Sequence, residues 1–144
     1  MSRKKRIGSH TVYDLRVHLV WITKYRYEVL DKTIGNRTRE LVRQYCLNND
    51  INILRGVVSK DHVHLYVSYP PNVSVSDMMK SIKGMTSRKL QQEYPNLGKS
   101  YWGKHFWAVG YGAFSAGEVN DKTIQNYLKQ HDTKHHSNDG FVVE

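Results

Sequence analysis

Two strand patterns separated by a very short connection constrain the fold of this chain more than any other feature. Residues 51–59 read INILRGVVS and residues 61–69 read DHVHLYVSY, and both are rich in the β-branched and aromatic side chains that favour strands. The connection at residues 59–61 is so short that it predicts an antiparallel hairpin. The hairpin ends at Pro70 and Pro71, because proline cannot donate to a strand ladder.

A strand and a helix precede the hairpin. Residues 11–21 (TVYDLRVHLVW) alternate in part and are rich in β-branched and aromatic residues, which predicts a strand. Residues 24–50 then carry apolar side chains at a spacing of about 3.6 residues, which is typical of a helix. The apolar stripe consists of Ile34, Leu41, Val42, Tyr45 and Cys46.

A helix, a strand and a second helix follow the hairpin. The pattern predicts a helix over residues 76–94, a glycine-interrupted aromatic strand over 101–115 and a last helix over 122–136. The candidate N-caps are Ser74 or Ser76 for the first of these helices and Asn120 or Asp121 for the second. The buried side of the first helix is predicted to consist of Met78, Met79, Ile82, Met85 and Leu90.

The resulting order of elements, β-α-β-β-α-β-α, is typical of the ferredoxin-like arrangement. We therefore predict an α+β fold, ferredoxin-like and RRM-like, with a four-stranded antiparallel sheet, helices on one face and a further C-terminal helix that carries a tyrosine. No repeat or low-complexity linker divides the 144 residues, so we predict one domain over residues 1–144. Residues 1–9 are predicted to form a basic arm, and residues 133–144 a flexible tail.

The charge balance favours a polyanionic partner. The chain has 22 Lys plus Arg against 13 Asp plus Glu, a net charge of +9, so nucleic acid is the first candidate and a merely soluble basic protein the alternative. No apolar run approaches the roughly 20 residues that span a membrane, and the basic start MSRKKRIGSH lacks the apolar region of a secretory signal. The single cysteine, Cys46, fits a reducing cytoplasm and is interpreted as a small buried side chain rather than a nucleophile.

Two histidines stand on either side of a valine in the second strand of the hairpin. Alternate residues of a strand share a face, so the apolar residues of 63–67 are predicted to point into the core, and His62, His64 and Tyr66 to point the other way. Two residues of rise separate the histidine backbones by roughly 6 to 7 Å, close enough for both imidazoles to bind one divalent ion. The alternative is a solvated sheet face that happens to carry two histidines.

The last helix offers a second set of reactive groups. Tyr127 and His131 are four residues apart and share a helical face, with Ile124 and Leu128 predicted to dock the helix beside these two residues. A tyrosine next to a metal ligand would suit phosphoryl transfer, in which the metal polarises a phosphate oxygen and the tyrosine attacks phosphorus. The alternative is a tyrosine in the core or at its rim.

Four segments together resemble the single-tyrosine HUH transposases of small insertion sequences, which move as single-stranded DNA. The segments are HLVWITKYRYEVL (18–30), DHVHLYV (61–67), MKSIKGMTSRKL (79–90) and FWAVGYGAFSAGEVNDKTIQNYLKQ (106–130). They follow the family's order over nearly the whole chain.

The resemblance implies a metal site and a nucleophile. It assigns His62 and His64 as ligands of Mg²⁺ or Mn²⁺ and Tyr127 as the attacking residue. The family usually has a glutamine four residues after the tyrosine as the third ligand. That position is His131 here, so His131 is the expected third ligand and Gln130 the alternative.

The implied activity is DNA transposition on single-stranded DNA with subterminal hairpins. Attack by Tyr127 would leave a 5′-phosphotyrosine and a free 3′-OH, and a later 3′-OH would rejoin strands. The family implies a homodimer in which the tyrosine helix can be donated to the partner, with Gly110–Gly117 as the connection. Two other interpretations stay open: a domesticated relative that nicks repeated hairpins, and a non-catalytic single-stranded nucleic-acid-binding module.

Basic and aromatic side chains are predicted to contact the DNA. The basic set is Lys4, Lys5, Arg6, Lys24, Arg26, Lys80, Lys83, Arg88 and Lys89. Those on the helix over 76–94 would bind hairpin phosphates, although such a charge run is also typical of a solvated helix face. The aromatic set, which could stack on unpaired bases or pack in the core, is Trp102, Phe106, Trp107 and Tyr111.

Overall fold

The computed structural model describes residues 5–8, 10–95, 105–115, 117 and 122–129. Within these ranges the chain forms six strands and three α-helices. The strands are β1 (Arg6–Ile7), β2 (Val12–Tyr13), β3 (Arg16–Ile22), β4 (Asn52–Val58), β5 (His62–Ser68) and β6 (Gly112–Ser115). The helices are α1 (Lys32–Asn48), α2 (Val75–Glu93) and α3 (122–129).

Four strands form an antiparallel sheet in the order β4-β5-β3-β6. The predicted hairpin is confirmed as β4–β5, with a register irregularity between Ile53 and Arg55. β3 lies at the centre, between β5 and β6, which is why five of its seven residues are buried. The predicted α+β fold with a four-stranded antiparallel sheet is confirmed.

The main core lies between one face of the sheet and helices α1 and α2. β3 contributes Val17, Leu19 and Trp21 to it, and β5 contributes the alternate residues of 63–67. Both predicted helical stripes are confirmed: their members are buried, except Tyr45 and Met85, which are partly buried against the core. Burial raises the pKa of the Cys46 thiol to about 12, which agrees with a structural cysteine.

Helix α3 lies on the opposite face of the sheet. Ile124 and Leu128 pack against Val20 and Ile22 in a second, smaller apolar cluster, as the sequence pattern predicts. β3 therefore buries residues on both of its faces. None of the described helices is both long and apolar enough to cross a membrane.

The N-caps of the first two helices have clear partners. Ser74, one of two predicted candidates, accepts a hydrogen bond from the Asp77 backbone N–H at 3.0 Å and caps α2. Asp31 accepts one from the Ile34 N–H at 2.8 Å and caps α1. The helix therefore begins at Lys32, eight residues after the start of the predicted helical segment. The candidate caps of the last helix, Asn120 and Asp121, lie outside the described residues.

The first predicted strand, residues 11–21, is divided in the structure. Its beginning forms β2, which pairs with β1 in a separate two-stranded sheet, and its remainder belongs to β3. Part of the predicted basic arm is therefore hydrogen-bonded strand. Arg6 holds it in place, because its guanidinium donates to the Asp50 carboxylate at 2.6 Å and to the Ser68 carbonyl at 3.1 Å.

The fourth strand is shorter than predicted. Residues 112–115 form β6, whereas Trp107 makes only an isolated bridge with Thr23, and residues 101–104 lie outside the described part. The predicted connection Gly110–Gly117 thus contains a sheet strand. The last helix is described over 122–129, and residues 130–144, with the predicted tail, lie beyond it.

Candidate functional site

The paired histidines of β5 lie on the sheet face that α3 covers. Both are half-buried, whereas the apolar residues that alternate with them are buried in the main core, so the predicted alternation is confirmed. In the antiparallel register His62 lies opposite Ile22, and His64 lies opposite Val20. Because directly opposite residues share a face, the two imidazoles stand beside the residues on which α3 packs.

An aspartate fixes the orientation of the first histidine. The Asp61 Oδ1 atom lies 2.8 Å from His62 Nδ1, and Asp61 Oδ2 accepts two hydrogen bonds from Arg26. An ionised carboxylate can only accept, so this contact favours a proton on His62 Nδ1, the tautomer whose Nε2 lone pair faces a ligand. Burial acts to raise the pKa of the Asp61 carboxyl, but the His62 hydrogen bond and the Arg26 charge outweigh it and lower that pKa.

His18 is a site residue that the sequence pattern did not single out. Its Nδ1 atom lies 3.0 Å from His64 Nε2, and its ring stacks on Tyr66 with centroids 4.0 Å apart. Burial, followed by the charges of His64 and Arg55, lowers the pKa of His18, which favours a neutral imidazole. A ligand that binds His64 through Nε2 must replace this contact.

Tyr127 lies on α3 over the same face, between the two residues that anchor the helix. Its side chain is half-buried, and its ring stands edge-on to Phe114 of β6 with centroids 6.4 Å apart. Burial raises the pKa of the Tyr127 phenol above its ordinary value. The phenol is therefore protonated at neutral pH.

Gly112 provides the space for the Tyr127 ring. A Cβ atom at Gly112 would lie 2.8 Å from Phe114 Cε2 and 3.1 Å from Tyr127 Cδ1. We expect Gly112→Ala to lower the free energy of unfolding by about 1–3 kcal/mol, because overpacking pushes these rings apart. Urea denaturation followed by circular dichroism measures the change.

Gly84→Ala is the matched control. Gly84 lies on α2 with nothing within 4 Å of its ideal Cβ, so alanine should raise the free energy of unfolding by about 0.5–1 kcal/mol. A Gly112→Ala protein as stable as the wild type would contradict the close approach of the two rings.

The donor set suits a divalent cation. His62 and His64 offer imidazole nitrogen, a common ligand of such ions, on one face of one strand. Among the described residues, no group of three or more His, Cys, Asp or Glu side chains is arranged to hold a metal ion. The two predicted candidates for the third ligand, His131 and Gln130, lie outside those residues, so the ligand roles stay a prediction.

The predicted DNA-binding residues fall into two groups, apart from Lys4, which lies outside the described part. Four are exposed, namely Lys5, Lys80, Arg88 and Lys89. The other four are partly buried and contact protein groups, namely Arg6, Lys24, Arg26 and Lys83. The DNA contacts stay a prediction for both groups, and the four exposed side chains are the ones that DNA can reach without displacing a protein contact.

Lys83 is a partly buried cation that contacts two backbone carbonyls. Its ammonium donates to the Ala108 carbonyl at 2.9 Å and to the Gly110 carbonyl at 2.7 Å. Burial lowers the pKa of Lys83 to about 8. Lys83 therefore ties α2 to the loop that leads into β6.

The aromatic residues before β6 serve the core. Phe106 and Trp107 are buried, and the Trp107 indole N–H donates to the Thr86 hydroxyl at 2.9 Å. Tyr111 is partly buried against the same core, and Trp102 lies outside the described residues. Core packing, the alternative to base stacking, is therefore the observed use of Phe106 and Trp107.

Comparison with known proteins identifies similar sequences over most of the chain. The family described as "Transposase IS200 like" matches residues 11–131. The ISDra2 transposase TnpA of Deinococcus radiodurans is 32% identical over 126 residues, which cover 87% of this chain and 90% of that protein. The transposase for insertion sequence element IS200 of Salmonella typhimurium is 30% identical over 121 residues, covering 84% and 79%.

Solved structures are similar as well. A candidate transposase from Deinococcus radiodurans R1 superimposes with a TM-score of 0.81 at 29% identity, covering 87% of this chain and 96% of that chain. A REP-associated tyrosine transposase bound to a REP hairpin superimposes with a TM-score of 0.52 at 15% identity, covering 90% and 74%. The second likeness concerns the fold alone.

Proposed function

Because this chain belongs to the family of IS200-like transposases, we propose that it cleaves and rejoins single-stranded DNA through a covalent bond to Tyr127. One observation carries the proposal: the helix that bears Tyr127 packs on Val20 and Ile22, the direct cross-strand neighbours of His64 and His62. The proposed nucleophile and the two proposed metal ligands thus belong to elements on the same side of the sheet. A binding module that performs no chemistry has no need of this combination.

The proposed metal ligands are His62, His64 and a residue that follows the tyrosine, either His131 or, as the alternative, Gln130. When bound, Mg²⁺ or Mn²⁺ would neutralise and orient an oxygen of the scissile phosphate. The contact of 2.8 Å between Asp61 Oδ1 and His62 Nδ1 supports a ligand role for the other ring nitrogen of His62.

Tyr127 performs the covalent step. Its phenol oxygen forms a bond to the scissile phosphorus, and the bond from phosphorus to the 3′ oxygen breaks. The phenol proton is lost and the departing 3′ oxygen gains a proton, so the products are a 5′-phosphotyrosine and a free 3′-OH. The ester preserves the bond energy, which allows a later 3′-OH to attack it and rejoin strands without a nucleotide cofactor.

The proposed substrate is single-stranded DNA with a hairpin near each end of the element. The exposed side chains of Lys80, Arg88 and Lys89 give α2 a cationic surface suited to hairpin phosphates. We propose that Lys5 and Lys24 contact phosphates of the same DNA strand. The net charge of +9 supports a polyanionic partner.

The proposed assembly is a cytoplasmic homodimer of chains that each form one domain over residues 1–144. In the described residues α3 packs on the sheet of its own chain. The proposed dimer would place the same helix on the sheet of either subunit.

A nicking assay tests the proposed activity. Labelled single-stranded oligonucleotides, taken from imperfect palindromes at the ends of the encoding DNA segment, are incubated with Mg²⁺, Mn²⁺ or EDTA. We expect cleavage and a covalent protein–DNA band with metal only, and neither product from the fully duplex control. Gel shifts without cleavage would overturn the enzymatic proposal in favour of a binding module. Cleavage of repeated hairpins without rejoining would favour the hairpin-nicking relative.

A further inference from the structure

A line of charged groups leads from the end of β3 to His62. Arg26 Nε and Nη2 donate to Asp61 Oδ2 at 3.0 and 2.8 Å, and Asp61 Oδ1 lies 2.8 Å from His62 Nδ1. The side chains of Arg26, Asp61 and His62 are only 26%, 16% and 17% exposed. Low exposure strengthens such charge-assisted hydrogen bonds and limits the orientations available to each group.

The backbone that presents Arg26 is unusual. Tyr25 and Arg26 have φ values of 59° and 55°, in the left-handed region that residues with a side chain rarely adopt. Such conformations persist only where surrounding contacts impose them, and they are concentrated at functional sites.

Thr23 supplies the contacts that impose this turn. Its carbonyl accepts from the Arg26 N–H at 2.9 Å, and its hydroxyl donates to the Tyr27 carbonyl at 2.7 Å. Its own N–H donates to the Asp61 carbonyl at 3.0 Å. The same fully buried residue therefore shapes the turn and ties it to the strand that carries His62.

We propose that Asp61 and Arg26 are positioning residues for His62. Asp61 holds the imidazole in the tautomer whose Nε2 can bind a metal ion, and Arg26 holds Asp61 in the orientation that does so. Carboxylates that hydrogen-bond to metal-binding histidines commonly tune metal affinity in this way. The inference rests on the proposed metal-dependent function, and it gives Arg26 a role distinct from a DNA contact.

Calorimetric titration of the full chain with Mn²⁺ tests the effect on affinity. We expect Asp61→Ala to weaken Mn²⁺ binding by about 10- to 100-fold, and Arg26→Gln to weaken it less. If Arg26 acts through Asp61, the double variant binds no more weakly than Asp61→Ala alone. Arg37→Gln is the matched control, because Arg37 forms an equivalent two-donor pair with Glu93 between α1 and α2, at 2.7 and 2.9 Å.

Nitrogen NMR of the metal-free protein tests the tautomer directly. We expect His62 to carry its proton on Nδ1 in the wild type and in Arg37→Gln, and to exchange between both tautomers in Asp61→Ala. Circular dichroism verifies that each variant is folded. If Asp61→Ala does not fold, Asp61→Asn keeps the shape without the charge, and a loss of Mn²⁺ affinity is expected in the same direction.

The two measurements separate the possible failures. An unchanged tautomer and unchanged Mn²⁺ affinity in the folded Asp61 variant would overturn the role of Asp61. Additive losses in the double variant would overturn the action of Arg26 through Asp61. If replacing His62 or His64 left Mn²⁺ binding unchanged, the proposed function would fail instead. The NMR result would still decide whether Asp61 positions His62.

Discussion

The Tyr127→Phe variant is expected to form no covalent adduct with single-stranded DNA and to lose roughly 10⁴-fold or more of its cleavage rate. Phenylalanine lacks the oxygen that would bond to phosphorus, so the side chain at position 127 can no longer attack the phosphate. The ring itself is kept, and with it the edge-on contact to Phe114 at 6.4 Å. The variant should therefore fold as the wild type does. Labelled oligonucleotides on a denaturing gel measure both the adduct and the cleaved strand.

Tyr45→Phe is the control for this substitution. Tyr45 is also partly buried on a helix, but it packs against the main core on the other side of the sheet. It should retain the adduct and the full cleavage rate. If the Tyr127→Phe variant still formed the adduct, Tyr127 would not be the nucleophile. If the Tyr45→Phe variant lost the adduct, the loss in Tyr127→Phe would not be specific to position 127.

Replacing His62 or His64 by alanine is expected to abolish metal-dependent cleavage almost as completely. A metal ion contributes several kcal/mol of charge stabilisation in phosphoryl transfer, which corresponds to a loss of roughly 10²- to 10⁴-fold in rate. Both side chains point away from the main core, so their removal should leave the fold intact. Cleavage rates as a function of Mn²⁺ concentration measure the loss, and gel shifts should show unchanged DNA binding.

His105→Ala is the matched control for the histidine variants. His105 is exposed, lies in the segment before β6, and lines a groove together with Lys83 and Ser87 of α2. It should cleave at the wild-type rate over the same range of Mn²⁺. If the His62 or His64 variant cleaved equally well, the metal site would have to be elsewhere.

The hairpin and the orientation of its histidines are predictable because both depend on local patterns. Strand alternation has a period of two, so burying the apolar residues of 63–67 forces His62 and His64 onto the other face. The docking residues of α3 are also predictable from a local pattern, since Ile124 and Leu128 lie one helical turn apart.

His18 could not be identified in this way because its role depends on a long-range register. β3 and β5 are separated in sequence by α1 and β4, and the sequence of neither strand determines which of their residues pair. The structure pairs His18 with Tyr66 and brings His18 Nδ1 to 3.0 Å from His64 Nε2. A local pattern alone shows only that His18 shares a face with Val20 and Ile22.

The turn at residues 24–26 escaped prediction for a different reason. Tyr25 and Arg26 adopt the left-handed conformation without being glycine, and contacts from Thr23 and Asp61, which are distant in sequence from one another, support it. The length of the fourth strand was overestimated because Phe106 and Trp107, which resemble strand residues, are equally suited to fill a core.

The small size of the second apolar cluster has a consequence for how the proposed nucleophile is held on the sheet. Among the described residues of α3, Ile124 and Leu128 are the buried side chains, and two fully buried aliphatic side chains contribute about 3–6 kcal/mol. We therefore expect α3 to open locally while the main core stays assembled. We expect Tyr127 to move with α3, while β5 keeps His62 and His64 in place.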